Sequence, residues 1–221
     1  DYILADPHVI PEGHHAFYTE KVVRLPDTYQ VNDRKRVIAE RVPTRAELGL
    51  PAAGFVFCCF NNNYKITPRT FDIWMRLLSG VPGSVLWLLE GNAAAVRNLR
   101  QEAQRRGVTP ERLVFAPRMN LPEHLARHRQ ADLFVDTLPC NAHTTASDAL
   151  WAGLPLLTCT GGTFAGRVGA SLLHAAGLPE LVTDSLDAYE ARARELATAS
   201  GELADIRARL ERNRSICPLF D

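Results

Sequence analysis

From Gly54 onward, unbroken apolar runs alternate with stretches whose apolar residues recur every three to four positions. FVFCCF (55–60), VLWLL (85–89), LVFA (113–116), LFV (133–135) and LPLLTC (154–159) are apolar but for Thr158, as strands buried on both faces are. Between them the periodicity predicts helices. Thr67 offers a cap and Pro68 a first-turn proline for a helix to about Leu78, with Phe71, Trp74, Leu77 and Leu78 on one face. Further helices are predicted over Ala93–Arg106, Pro122–His128, Thr144–Trp151 and Phe164–Ala175. Gly107, Gly153 and Gly177 end three of them. Asp184 and Ser185 cap another, and a charged helix runs from about Gly201 to Asn213. This alternation predicts an α/β fold: a doubly wound, Rossmann-like parallel sheet covered on both faces. The first residues differ. YILA (2–5) reads as a short buried strand stopped by Asp6 and Pro7, and Pro7 to Pro43 has little periodicity beyond a helical turn near His14–Lys21 and the apolar VVRL. The chain therefore divides into 1–42, a strand and linker or interface segment, and 43–221, the Rossmann-like unit.

Composition narrows the function classes. The 221 residues suit one domain with an appendage, and 46% hydrophobic with 23% charged residues is the balance of a globular chain with a core. Twenty-five basic residues against 25 acidic ones leave no net charge, which argues against a nucleic-acid or membrane-surface protein. No window holds 18 uninterrupted apolar residues, and the start lacks the pattern of a signal peptide. The five cysteines form no CxxC pair and no even disulfide framework, as expected of reduced thiols in the cytoplasm.

In doubly wound sheets ligands lie beyond the carboxyl ends of the strands, so four loops are informative: NNNYK, APRMNLP, TLPCNAHTT and TGGT. His143, Thr144 and Thr145 stand where a helix begins, so their N–H groups and hydroxyls form a candidate anion site. Asp148 lies on the same face one turn deeper, where a carboxylate suits a ribose diol. The plainer reading is that a threonine caps the helix and Asp148 favours its positive end. Gly161 and Gly162 allow close backbone approach before Thr163, or simply a tight turn. Lys65 brings a full positive charge, worth about 4 kcal/mol at about 4 Å from a phosphate, against about 0.3–1 for a helix end. The plain alternative is a surface lysine. His124 offers a flat face to a base, whereas His128 reads as a helix-end residue. There is no GxGxxG, GxxxxGK[ST], DxD, HExxH or GxSxG motif, so neither a nicotinamide cofactor, a P-loop, a metal nor a serine nucleophile is expected.

FCCFNNNYKITP (57–68), VLWLL (85–89), DTLPCNAHTTASDALWAGLPLLT (136–158), RVGASLL (167–173) and the final ICPLF together resemble the C-terminal catalytic half of O-linked N-acetylglucosamine transferases, over about residues 1–219. The resemblance implies a GT-B glycosyltransferase whose C-terminal lobe holds the nucleotide sugar. Residues 1–42 would then be the end of the N-terminal catalytic lobe and a linker, and 43–221 the donor-binding lobe. It implies that Lys65 contacts the donor diphosphate and stabilises departing UDP, with Asn62 beside it. His143, Thr144 and Thr145 would bind the diphosphate and sugar side, and Asp148 the ribose. His124 would stack on uracil, with Met119, Leu121 and Arg127 around the base. The implied reaction is an inverting, metal-independent transfer of N-acetylglucosamine from UDP-N-acetylglucosamine to Ser or Thr hydroxyls of proteins. The general base, the acceptor contacts and the substrate-presenting tetratricopeptide helices would lie outside these residues. This chain alone would then bind donor and be inactive.

The animal enzymes carry Gln at the position of Asn62 and Lys at that of Leu121. The related SPINDLY fucosyltransferases, which use GDP-fucose, have no histidine in the place of His143, so HTT here favours the UDP sugar. Two other readings remain: another GT-B enzyme with the same donor lobe, and a non-catalytic nucleotide-binding scaffold. Loss of Lys65 or HTT would have favoured the scaffold, and both are present.

Overall fold

The computed structural model describes every residue of the chain except Ser200. Six parallel strands form the main sheet in the order β5-β4-β3-β6-β7-β8. They are β3 (Val56–Cys59), β4 (Val85–Leu89), β5 (Leu113–Ala116), β6 (Leu133–Val135), β7 (Leu156–Cys159) and β8 (Val182–Thr183). Counted from β3 this is the doubly wound order, in which the chain builds outward one way and then the other. β3 lies at the reversal, with Phe57 and Cys58 opposite Leu86 and Trp87 of β4 on one side and Leu133 and Phe134 of β6 on the other. All residues of β3, β6 and β7 are buried, as their unbroken apolar sequence requires.

Helices α1 (Pro68–Gly80), α2 (Ala93–Arg105), α3 (Leu121–Arg127), α4 (Thr144–Trp151), α5 (Val168–Ala175), α6 (Leu186–Thr198) and α7 (Glu202–Asn213) cover the sheet. The expected start of α1 is observed: the Thr67 hydroxyl accepts from the Thr70 N–H, and Phe71, Trp74, Leu77 and Leu78 are buried. Such a cap contributes about 1 kcal/mol, whereas each fully buried aromatic or leucine side chain contributes roughly 1.5–3, so packing rather than capping holds α1 in place.

Several expectations are corrected. YILA forms strand β1 (Tyr2–Ala5), but it is not a buried one: Tyr2 is 69% and Leu4 56% exposed. Among the described residues its strand partner is β2 (Lys21–Arg24), in parallel. The helix expected over 164–175 is broken into a 3₁₀ turn, Phe164–Gly166, followed by α5. The Gly166 carbonyl accepts the Gly161 N–H at 2.6 Å, and a Cβ on Gly166 would lie 2.8 Å from the Pro139 oxygen. The segment is thus tied to the neighbouring loops and not to a helical ladder. α3 starts one residue early because Asn120 is its cap, accepting from the Glu123 N–H. β8 was not expected; two residues are too short to show a period.

The segment before β3 is irregular but anchored. Asp6 is fully buried, with one carboxylate oxygen accepting the His8 and Val9 N–H groups and the other accepting the Tyr29 N–H and the Ser171 hydroxyl of α5.

Candidate functional site

The loop after β6 is organised by the residue that begins it. Asp136 is buried, and one of its oxygens accepts the N–H groups of Thr137 (2.7 Å) and Ala142 (2.6 Å) and the Asn61 side-chain amide (3.2 Å). The other accepts the Thr158 hydroxyl of β7 at 2.7 Å. Residues 136–142 therefore fold back over their own first carboxylate. Burial pushes the Asp136 carboxyl up to about 6, while these donors pull it down. Asn61, at the end of β3, donates to the Thr137 hydroxyl and accepts from the Thr145 hydroxyl. Asn141 donates to the Thr137 carbonyl and accepts the Gly169 N–H of α5. Asp136, Asn61 and Asn141 were not singled out from the sequence. The available signal was an acidic residue directly after an apolar strand at the reversal of the sheet.

This frame sets the start of α4. His143 is the N-cap, and neither threonine caps the helix with its side chain. The N–H groups of Thr144 and Thr145 meet no acceptor among the described residues, as an anion site requires. The Thr145 hydroxyl is turned back to Asn61, so of the two hydroxyls only that of the exposed Thr144 is left for a ligand. The His143 Nε2 lies 3.4 Å from the Ala165 carbonyl. Burial and the neighbouring Lys65 lower its proton affinity, against the pull of that carbonyl. Lys65 closes a 3₁₀ turn after β3 and donates from Nζ to the Asn141 carbonyl at 2.7 Å, which ties it to the loop preceding α4. Asp148 is paired with Arg36 of the N-terminal segment, whose guanidinium also lies over the Trp151 ring. Burial raises the Asp148 pKa and Arg36 opposes the rise.

Beside these groups, a cleft of about 350 Å³ gathers Asn62, Met119, Leu121, His124, Arg127 and Thr145, all expected at the site. Phe60, Leu89 and Arg118 complete its lining and were not anticipated. Lys65, His143, Thr144 and Asp148 lie outside this lining, and so does TGGT, whose Gly161 packs against Leu138 instead. The expected meeting of all four loops is thus seen for three of them. Burial pushes the His124 imidazole down to about 3, and His128, Arg127 and Arg118 add to the shift. His128 is fully buried and edge-on to His124, which fits its reading as a packed helix-end residue. A larger groove of about 540 Å³ lies along α7 beside Glu180, away from the loops at the carboxyl ends of the strands. The arrangement suits a flat heterocycle in the cleft, with an anion toward the start of α4 and Lys65.

Residues 38–221 match the model of glycosyl transferase family 41. The whole chain is 39% identical to part of the probable UDP-N-acetylglucosamine–peptide N-acetylglucosaminyltransferase SEC of Arabidopsis thaliana, covering 23% of that protein. Over 85% of its length it is 39% identical to the UDP-N-acetylglucosamine–peptide N-acetylglucosaminyltransferase of Caenorhabditis elegans, covering 17% of it. A mutant of the Thermobaculum terrenum O-GlcNAc transferase superposes on 99% of the chain with a TM-score of 0.86 at 32% identity, over 42% of its own chain. The chain thus spans less than a quarter of the length of these two curated relatives.

Proposed function

The chain belongs to glycosyl transferase family 41, and from that premise we propose that it is the donor-binding half of an enzyme that transfers N-acetylglucosamine from UDP-N-acetylglucosamine to Ser or Thr hydroxyls of proteins. The observation that carries this reading is the juxtaposition, at the reversal of the sheet, of a cleft containing His124 with a helix start whose Thr144 and Thr145 N–H groups are unpaired.

In the proposed binding mode the uracil rests against His124, near Met119 and Leu121. Asp148 takes the ribose, and the diphosphate meets Asn62, Lys65, His143, Thr144 and Thr145. The mechanism is inversion at the sugar without a metal. As the bond to UDP breaks, charge builds on the diphosphate, and Lys65 and the start of α4 are fixed donors for that charge. A donor held by the Asn61–Asp136–Asn141 frame needs little reorganisation at that moment. Neutral sugar and nucleoside groups give no comparable attraction, so electrostatics act on the leaving group rather than on the acceptor. The general base and the protein acceptor are assigned to parts of the enzyme outside these residues.

Calorimetric titration of the chain with UDP and with GDP, each with a chelator present, tests the reading. UDP binding with GDP silent is the expected result. Preference for GDP would replace it with a fucosyl-donor enzyme, and binding of neither would remove the donor site from this chain.

A further inference from the structure

Arg127 carries a buried positive charge whose partners are unusual. Its side chain lies in the cleft floor, and the residue is 0% exposed. No carboxylate lies within ion-pair distance of it among the described residues. Its guanidinium sits over the Phe60 ring at 4.6 Å and donates from Nη1 to the Pro117 carbonyl at 2.6 Å. The other terminal nitrogen, Nη2, lies 2.5 Å from His124 Nδ1.

A guanidinium has donors and no acceptor, so the imidazole nitrogen facing it must offer a lone pair. We propose that Arg127 is a positioning residue: by donating to Nδ1 it fixes His124 as the neutral ring with its proton on Nε2, so that a single state of the imidazole meets the ligand. This rests on the reading of His124 as the residue that meets the nucleoside base. His128 is fixed the opposite way. Its Nδ1 lies 2.7 Å from the His124 carbonyl and must donate to it, which leaves its buried Nε2 as a bare acceptor. The charged and titratable groups around His124 are Arg127 and His128 from α3 and its 3₁₀ extension, and Arg118 from the loop after β5. None is acidic. A protonated His124 would face the Arg127 guanidinium with two donors opposed, so losing Arg127 removes both the repulsion and the choice of tautomer.

The test reads the ring directly. In ¹⁵N NMR of the histidine-labelled chain, the His124 signals are those lost in His124→Gln. The expected spectrum has Nδ1 unprotonated and Nε2 protonated, unchanged from pH 7.5 to 5. Titration of His124 near 6.5 in the wild-type chain, or a proton on Nδ1, overturns the proposal. Arg127→Met keeps an apolar stem and removes the donors. Burial, His128 and Arg118 still act on the ring in this variant, so His124 should stay neutral at pH 7.5 but lose its single tautomer. Its Nδ1 and Nε2 signals should move toward each other, as those of a ring that exchanges between the two neutral forms do. If about half of the rings then carry the proton on the wrong nitrogen, UDP affinity should fall about 2-fold. Arg127→Lys should restore both the wild-type ring signals and the affinity. Wild-type ring signals in Arg127→Met would make Arg127 a packing residue only. Unchanged UDP affinity in His124→Gln would overturn the contact between His124 and the base, while the tautomer seen by NMR would stand.

Discussion

Among the described residues Lys65 Nζ makes one hydrogen bond, to the Asn141 carbonyl, and an ammonium has three protons to give. In the proposed reaction the others meet the departing diphosphate, so Lys65→Ala in the complete enzyme should lower kcat by on the order of 10²–10³. The KM for the protein acceptor should stay nearly constant, and steady-state kinetics with each substrate varied separate the two. Unchanged turnover would remove Lys65 from the site. Asp148 poses a different question, because its carboxylate is held by Arg36 in a largely buried pair. Arg36→Met leaves that carboxylate alone and raises its folded-state pKa further above the unfolded value. A raised carboxyl pKa costs stability where the group is ionised when unfolded, and the cost disappears as pH falls and both states are protonated. The variant should therefore be destabilised by about 3 kcal/mol at pH 7.5. The gap in Tm from wild type should close as the pH is taken toward 4, which melts across that range would show.

α5 begins against the loop that Asp136 organises, and Gly169 is where they touch. A Cβ there would lie 2.6 Å from the Thr158 hydroxyl and 2.8 Å from an Asp136 oxygen, both inside the buried network. Gly169→Ala should therefore cost about 1–3 kcal/mol, whereas Gly13→Ala, with nothing within 4 Å, should be near neutral in the same thermal melts. Equal Tm values for the two would mean that the loop yields without loss. This contact also shows where the sequence stops being readable. β3 to β7 and helices α1, α2 and α4 announce themselves, because burial on both faces demands unbroken apolar runs and one-sided burial demands a 3.6-residue period. Lys65, His124 and the start of α4 follow from knowing which ends of the strands carry loops. Asp136, Asn61 and Asn141 have no period to betray them; they matter through contacts 75 and 76 positions apart between Asn61 and its partners. The break in the helix at Gly166 and the exposure of β1 are likewise decided by which segments lie alongside, which hydropathy does not encode. Arg36 was passed over as part of an irregular stretch, although it holds the carboxylate of a residue that the sequence did single out.

That irregular stretch joins the small sheet to the Rossmann-like unit. Beyond the Asp6 anchor, Thr28 is bonded to Ser171 at 2.9 Å and Gln30 to Ser147 at 2.7 Å, while Trp151 donates to the Arg36 carbonyl. Residues 28–36 therefore run along the flank of α4 and α5, on residues 147–151 and 171, whereas the cleft is reached from the start of α4. The start of α4 has its own support in Asp136 and Asn61, and the strap meets the proposed site at Arg36, on Asp148, so opening of the strap short of Arg36 should be separable from ligand binding. Asp6→Ala removes an acceptor for four donors, three of them backbone N–H groups. Groups stripped of a buried acceptor cost about 1–3 kcal/mol each unless water reaches them. The economical response is local opening of the strap. Hydrogen exchange should then quicken in residues 8–32 while β3 and β4 keep their protection, and UDP affinity should change by no more than about two-fold. Uniform loss of protection across β3 and β4 would mean that the strap and the sheet unfold as one unit. Loss of UDP binding with the sheet intact would mean that the strap, rather than the loop frame, sets the geometry of α4.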